Sequence, residues 1–416
     1  MLRASLCFFV VSFDLIARFS PAAAETFKWL QLGPSGLEAR VVTDAPGCPP
    51  MQLDETETSM TVRASPGETF PVTVCAAPIH SSVQSVAIAG VSLASPPVTD
   101  PKRIAVIGDT GCRLKGDHIQ ACDDPAQWPF AAIAEAVARQ KPDLVVHVGD
   151  YYYREAPCPA AVAGCAGSPF GDNWPVWRTD FFAAADPLLK VAPWVFVRGN
   201  HEVCSRGGEG WNRMLAPYAF DAAAICKTNE DPYVVKFAGL TLAVMDVSKA
   251  KENALDEAQA QIYRAQYSAL ARMTSGPTWV LQHRPIWSPG VEFAGHFLGD
   301  NKTLASAATG VIPSNVMLIL SGHHHLFQTL TYESDLPVQV VAGNGGDFLN
   351  PGSPTDPAGW VINGVKVKSG IDLPGSFGFS ILEKQSQGWR LTNFDTLGQP
   401  HQSCLIDGRS ANCVAK

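Results

Sequence analysis

Five short segments of the sequence carry side chains of the kinds that bind metal ions. They are residues 108–111 (GDTG), 149–153 (GDYYY), 199–202 (GNHE), 283–285 (HRP) and 322–325 (GHHH). Together they supply carboxylates, imidazoles, an amide and phenols, a donor set that suits transition metals. If the segments converge, a carboxylate placed between two cations can bridge them, and the pattern therefore indicates a polynuclear metal site.

Each of these segments follows an apolar run rich in Val, Ile and Leu, either directly or after one residue. The runs cover residues 103–107, 144–148, 194–197, 279–282 and 316–320, and helical patterns alternate with them at 129–140, 174–190 and 254–273. This alternation is typical of βαβ units around a buried parallel sheet. Ligands of such sheets bind beyond the carboxyl ends of the strands, so the sequence predicts that the five segments meet there.

The ordered set of motifs resembles the calcineurin-like metallophosphoesterase superfamily, and more narrowly the purple acid phosphatases, over about residues 102–350. The resemblance implies an α/β fold, a double β-sheet sandwich flanked by helices, with a dinuclear metal centre. Other branches of the superfamily open with an Asp-x-His motif, whereas the first motif here is Asp109-Thr110-Gly111. In purple acid phosphatases a tyrosine of the second motif compensates, and Tyr153 stands at that place.

The resemblance also implies a role for each candidate ligand. Fe(III) would be held by Asp109, Tyr153 and His325, a divalent ion (Fe, Zn or Mn) by Asn200, His283 and His323, and Asp150 would bridge the two. The residue chemistry agrees, because a phenolate is a hard donor suited to ferric iron, while an amide and two imidazoles suit a divalent ion. Tyr151 and Tyr152 are the alternatives to Tyr153.

The charge of such a centre would let an acidic protein bind an anion. The 416-residue chain has a formal net charge of −8, and no basic patch indicates a nucleic-acid-binding surface. A ferric and a divalent cation exceed two carboxylates and one phenolate by about 2 charges, which matches a phosphate dianion. We therefore expect a phosphate-ester substrate, hydrolysed directly by hydroxide that the two metals activate, without a phospho-enzyme.

Two histidines outside the ligand set are candidates for proton transfer to the leaving group or for contact with the phosphate. His201 follows Asn200 and matches the family histidine beside the phosphate. His296 lies thirteen residues after His283, where family members carry a second outer histidine, and a surface-loop histidine is the alternative. His324, between two candidate ligands, is expected to point away from the metals.

Several polar residues near the motifs have two interpretations. Asp246 and residues 344–347 (NGGD) follow apolar runs, and they either orient the ligands or form ordinary turns. Arg154, Arg206 and Arg284 flank the motifs, and they either contact phosphate or form peripheral salt bridges.

With 46% hydrophobic and 17% charged residues, the composition predicts a globular protein. The length of 416 residues predicts two or three domains. Residues 1–24 are expected to be a signal peptide, with a hydrophobic N-terminal helix as the alternative, and no membrane anchor would remain after cleavage. A small β-rich domain is predicted at 25–98, a stiff linker at 95–101, a catalytic domain at 102–398 and a tail at 399–416.

The cysteines indicate an oxidising compartment. There are 11, and removal of Cys7 with the signal peptide would leave ten, which fall into sequence neighbours. Local disulfides are therefore expected in a periplasmic or secreted protein, although spacing alone does not determine connectivity and free buried thiols are the alternative.

The leading functional hypothesis is an acid-phosphatase-type phosphomonoesterase. A phosphodiesterase or nucleotidase of the same superfamily is the alternative, because the metal core is shared and the pocket walls select the ester. A third hypothesis is a non-catalytic binding protein whose β-rich N-terminal region binds a partner on a surface. The sequence leaves the oligomeric state open.

Overall fold

A computed structural model describes residues 24–94, 99–116, 118–293 and 296–415. Residues 1–23 of the expected signal peptide and 95–98 of the expected linker lie outside the described residues. Within the described part, no helix is both long and apolar enough to cross a membrane.

The chain forms many short β-strands, which we number in chain order. They are β1 Thr26–Gly33, β2 Gly36–Thr43, β3 Met51–Leu53, β4 Thr56–Thr58, β5 Thr61–Ala64, β6 Thr73–Pro78, β7 Val86–Ile88, β8 Val91–Ser92, β9 Arg103–Ile107, β10 Leu114–Lys115, β11 His118–Ile119, β12 Leu144–His147, β13 Trp194–Phe196, β14 Tyr233–Phe237, β15 Leu240–Val244, β16 Thr278–Leu281, β17 Val291–Phe293, β18 His296–Leu298, β19 Val316–Ser321, β20 Phe327–Tyr332, β21 Val338–Ala342, β22 Val361–Ile362, β23 Val365–Leu373, β24 Phe379–Lys384, β25 Trp389–Phe394, β26 Pro400–Asp407 and β27 Ser410–Ala415.

The α-helices are α1 Phe130–Arg139, α2 Trp174–Trp177, α3 Ala183–Leu189, α4 Gly208–Met214, α5 Glu257–Met273 and α6 Lys302–Ala308. A π-helical segment, Arg178–Phe182, joins α2 to α3, and a 3₁₀ turn covers Ala163–Cys165. All three predicted helices are therefore present, the second of them divided. The five predicted strands are present as β9, β12, β13, β16 and β19, with each end within one residue of its expected position.

Two large sheets pack face to face. The first has eleven strands in the order β27-β26-β25-β24-β9-β12-β13-β1-β2-β6-β5, and the second has eight in the order β14-β15-β16-β19-β21-β20-β23-β22. Small sheets are formed by β4-β3-β7-β8, β10-β11 and β17-β18. This double-sheet α/β sandwich with additional N-terminal strands is the fold class expected from the sequence.

The large sheet continues past the expected domain boundaries near residues 98 and 398. β1 pairs in parallel with β13, with Gln31 opposite Trp194, so N-terminal strands extend the central sheet. At the opposite edge, β26 and β27 extend it again. Without β1, the strand β13 would leave its backbone groups unpaired at an edge, and the N-terminal region removes that edge. Among the N-terminal strands that the structure describes, β3, β4, β7 and β8 form a separate sheet.

Successive side chains of the central strands point to opposite faces of the sheet, so the core is divided into layers. In β9, Ile104 and Val106 face the second sheet, where they join a cluster that includes Leu242 and Leu318. Ala105 of the same strand belongs to the cluster with α1 and α3 on the outer face. A third cluster lies under α5 and α6 on the far side of the second sheet. Both sheets are thus covered on both faces, as parallel strands require.

The parallel strands position the motifs. β9, β12 and β13 run parallel in the first sheet. β15, β16, β19 and β21 run parallel in the second. Because parallel strands end at the same edge, each sheet presents one row of strand ends. Every candidate ligand lies within six residues of such an end.

All ten cysteines of the described chain form disulfides between sequence neighbours. The pairs are Cys48–Cys75, Cys112–Cys122, Cys158–Cys165, Cys204–Cys226 and Cys404–Cys413. The expected local pairing is confirmed. Cys404 and Cys413 face each other across the β26–β27 hairpin, which closes the tail on itself.

Candidate metal centre

The backbone turns sharply where the candidate ligands leave their strands. Asp109, Asp150 and His323 have positive φ angles of 56°, 58° and 70°. Non-glycine residues rarely adopt this conformation, and such strain is concentrated at functional sites. Gly149 precedes Asp150 with φ 102°, and a Cβ there would lie 2.6 Å from His283 Nδ1, so the close packing of strand ends requires glycine.

The first group of donor atoms surrounds the hydroxyl of Tyr153. Its Oη lies 2.9 Å from Asp109 Oδ1, 3.0 Å from Asp150 Oδ2 and 3.1 Å from His325 Nε2. All four side chains are buried. A phenol has one proton and cannot donate to both carboxylates at once. Ligands about 2.1 Å from one cation at right angles would be about 3 Å apart, so these spacings fit a shared cation.

The second group is centred on His283. Its Nε2 lies 3.0 Å from Asn200 Oδ1 and 3.0 Å from Asp150 Oδ2. Asp150, His283 and His323 each offer a ligand atom within 4.8 Å of the other two. Asp150 Oδ2 therefore belongs to both groups, which is the arrangement that a bridging carboxylate requires.

The neighbouring tyrosines have other surroundings. Tyr151 Oη donates to the carbonyl oxygen of Val197 at 2.9 Å, and the ring of Tyr152 stacks on that of Trp177. Of the three, Tyr153 is the one whose hydroxyl contacts the carboxylates. His324, expected to point away, contacts Ser288 Oγ through Nδ1 at 2.9 Å.

Polar contacts on the far side of the imidazoles set which nitrogen faces the centre. His283 Nδ1 lies 2.8 Å from the carbonyl oxygen of Val148, and His325 Nδ1 lies 2.7 Å from that of Phe348, so Nε2 points inward in both. His323 is held the other way, with Nε2 2.7 Å from Glu252 Oε1, and Nδ1 is the atom left for a cation. Contacts of this kind orient metal-binding histidines.

Glu202 ends the GNHE motif, and sequence reasoning gave it no role. Its side chain is fully buried, and Oε2 accepts hydrogen bonds from the backbone N–H groups of Gly199 and Asp150 at 3.0 Å each. Oε1 accepts one from Tyr151 at 2.9 Å. Burial and the negative charge of Asp150 raise the pKa of Glu202 to about 8. One carboxyl group thus links the ends of β12 and β13. Its position within the GNHE motif is the sequence feature by which Glu202 could have been identified.

His201 lies against the first donor group. Its ring centroid is 3.8 Å from that of Tyr153, and its Nε2 lies 3.8 Å from Asp150 Oδ2. Nδ1 contacts Glu155 Oε1 at 2.6 Å, and Arg206 contacts the same glutamate. The structure places His296 in β18, paired with Phe293, but its side chain is not among those described. Glu155 and Glu252 are further residues that sequence reasoning missed.

Burial raises the cost of negative charge in the centre. It raises the pKa of Tyr153 well above its ordinary value, and the carboxylates of Asp109 and Asp150 raise it further. It also raises the pKa of Asp109. Burial acts in the same direction on Asp150, but His283 and His201 outweigh it and lower that pKa well below its ordinary value. A phenolate at Tyr153 therefore requires a strong cation nearby.

The remaining polar candidates are held in buried ion pairs or turns. Arg154 pairs with Asp180 at 2.5 Å, and Arg113 pairs with Asp347 at 2.5 Å. Asp347 Oδ2 also lies 3.4 Å from His325 Nδ1, so the NGGD segment reaches a candidate ligand. Asp246 accepts from the backbone N–H of Ser248 at 3.0 Å and thereby anchors a turn.

The family of calcineurin-like phosphoesterases matches residues 102–327, more than half of the chain. No curated protein matches the chain.

Two solved structures resemble the fold. The purple acid phosphatase PPD1 from seeds of yellow lupin (Lupinus luteus) has a TM-score of 0.58 at 13% identity, covering 92% of this chain and 74% of that one. The structure of PhoD has a TM-score of 0.53 at 10% identity, covering 94% of this chain and 91% of that one. At these identities the likeness concerns the fold.

Substitution of Glu202 by Gln tests whether this carboxylate supports the centre. The amide cannot accept all three backbone hydrogen bonds, so Asp150 and Asn200 should lose their alignment. We expect metal affinity to fall about 10- to 100-fold. Competition with a chromophoric chelator measures this, and Glu209→Gln, which removes a surface charge on α4, is the control. Equal affinities in the two variants would contradict a supporting role.

Proposed function

The chain belongs to the calcineurin-like phosphoesterase family, and from that premise we propose that it is an acid-phosphatase-type phosphomonoesterase with a ferric and a divalent metal ion. Family membership makes it a phosphoester hydrolase. The finer assignment depends on one observation, the Tyr153 hydroxyl within 3.1 Å of Asp109, Asp150 and His325. A phenolate among two carboxylates and an imidazole is a donor set that favours trivalent iron.

The proposed ligands follow the two donor groups. Asp109, Tyr153 and His325 would hold Fe(III), Asn200, His283 and His323 would hold Fe, Zn or Mn as a divalent ion, and Asp150 would bridge them. When bound, the two ions supply Lewis acidity toward phosphoryl oxygens and lower the pKa of a bound water.

The protein's own groups would position the ester and supply a proton. His201 is the proposed donor to the leaving alkoxide or the proposed contact for the phosphate, because its ring lies against that of Tyr153. Glu155 contacts its Nδ1 at 2.6 Å, which orients the ring. Its Nε2 lies 3.8 Å from Asp150 Oδ2 and 2.7 Å from Arg206 Nη2. His296 stays a second candidate for contact with the phosphate.

A monoester is favoured over a diester on charge. The proposed centre carries about +2, and a monoester dianion neutralises it more completely than a diester monoanion. A non-catalytic binding role is disfavoured because all seven candidate ligands are present and buried. Degeneration of a catalytic site would remove some of these costly buried polar groups.

We further propose that the protein is exported to the periplasm or secreted. Five disulfides in one chain persist only in an oxidising environment. Residues 1–24 would then be removed as a signal peptide.

Hydrolysis of matched chromogenic esters tests the proposed reaction. Protein loaded with iron and zinc should hydrolyse p-nitrophenyl phosphate with a kcat/KM at least about tenfold above that for bis-p-nitrophenyl phosphate. Asn200→Ala should lower the monoester kcat/KM at least about 100-fold, because it removes a ligand of the divalent ion. Asn212→Ala on α4 is the matched control. A reversed ester preference would indicate a diesterase, and full activity of Asn200→Ala would contradict the dinuclear mechanism.

Substitution of Tyr153 by Phe tests the ferric ion. A phenolate bound to Fe(III) gives a visible charge-transfer absorption, so the wild-type protein should be coloured and Tyr153→Phe colourless with reduced iron content. Tyr152→Phe, whose ring packs on Trp177, should keep both colour and iron. A colourless wild-type protein that contains only zinc or manganese, with unchanged metal content in Tyr153→Phe, would contradict the iron assignment.

A further inference from the structure

A cleft of about 420 Å³ opens beside the candidate metal centre and borders Asn200. Its nine lining residues include the three cations Arg206, Lys249 and Arg284 and no carboxylate. This is unusual for a chain with a net charge of −8, in which acidic residues outnumber basic ones. A cationic lining of this kind concentrates anions locally.

Two of the three cations come from strand ends that carry candidate ligands, and the third follows the neighbouring strand β15 of the second sheet. Arg206 lies in the segment between β13 and α4, Lys249 follows β15, and Arg284 follows β16 directly after His283. The cleft therefore lies where the carboxyl ends of both sheets meet. A substrate whose phosphate lies at the metals would extend into it past Asn200.

The two arginines are held in place by glutamates outside the cleft lining. Arg206 pairs with Glu155, and Arg284 pairs with Glu252. The arginine side chains keep 21% and 12% of their surface exposed, so each still presents part of its guanidinium group to solvent. A guanidinium has five N–H donors and can serve a carboxylate and a second anion together.

Lys249 differs from the arginines. It is exposed, and among the residues that the structure describes no carboxylate lies within salt-bridge distance of it. Asp246 fixes its turn through the N–H of Ser248, which also lines the cleft. The turn thus places an unneutralised ammonium group at the wall of the cleft.

We propose that this cleft binds a second anionic group of the substrate, so that the preferred substrates are phosphomonoesters that also carry a carboxylate or a further phosphate. The inference rests on the proposed phosphomonoesterase function and specifies its substrate class. The metal centre receives the phosphate to be cleaved, and Lys249, Arg206 and Arg284 receive the other anion.

Equilibrium binding of non-hydrolysable phosphonates to the metal-loaded protein tests this preference. The probes are 3-phosphonopropionate and 4-phosphonobutyrate, each compared with the alkyl phosphonate of equal carbon number. Isothermal titration calorimetry should show at least about fivefold tighter binding of one carboxylated probe than of its alkyl counterpart. Lys249→Glu should reduce this ratio about fivefold or more, because it replaces an attractive charge with a repulsive one.

Lys251→Glu is the matched control, since it makes the same change of charge two residues away, at an exposed lysine that pairs with Asp256 and does not line the cleft. It should leave the ratio unchanged. Equal affinities of carboxylated and alkyl probes, or equal effects of the two substitutions, would overturn the proposal.

Hydrolysis of phenyl phosphate by the same preparations is measured separately. Its absence, with the binding preference intact, would contradict the proposed activity and not the anion site.

Discussion

The carboxylate of Asp150 joins the two rows of strand ends. Its Oδ2 lies 3.0 Å from Tyr153 Oη on one side and 3.0 Å from His283 Nε2 on the other, and its Oδ1 accepts the backbone N–H of His201 at 2.8 Å. Tyr153 belongs to the first sheet's row and His283 to the second, so this single side chain contacts both rows. The rest of the centre depends on it, because each donor group is completed by Asp150.

The centre also sets an energetic constraint on the fold. Asp109, Asp150 and Tyr153 are almost fully buried, and burying such groups without a compensating charge is costly. The chain adds to the cost by holding Asp109 and Asp150 at positive φ. Two bound cations would offset the charge, and the parallel strands packed on both faces supply the rigidity that keeps the strained turns in place. A buried, strained and anionic cluster has a clear physical rationale as a cation site and none as ordinary core.

The sequence was sufficient to predict what is local and periodic. The strands before the motifs follow from apolar runs and the disulfides from neighbouring cysteines. It was insufficient for pairing between distant segments. Nothing in residues 26–33 indicates that β1 adds to β13, because periodicity shows that a strand is buried but not which sheet it joins. Glu155 and Glu252 were missed for the same reason, since each meets its histidine only in the folded chain. Glu202 belongs to the GNHE motif, but the sequence of a motif does not show which of its side chains accept hydrogen bonds from backbone N–H groups.

The most direct test of a centre bridged by Asp150 is a crystal structure of the metal-loaded protein, with anomalous diffraction measured at the absorption edges of iron and zinc. The account predicts two separate peaks, an iron peak bound by Tyr153 and a second peak bound by Asn200, with Asp150 Oδ2 in contact with both. A single peak, or two peaks of which either lacks Asp150 as a ligand, would contradict it.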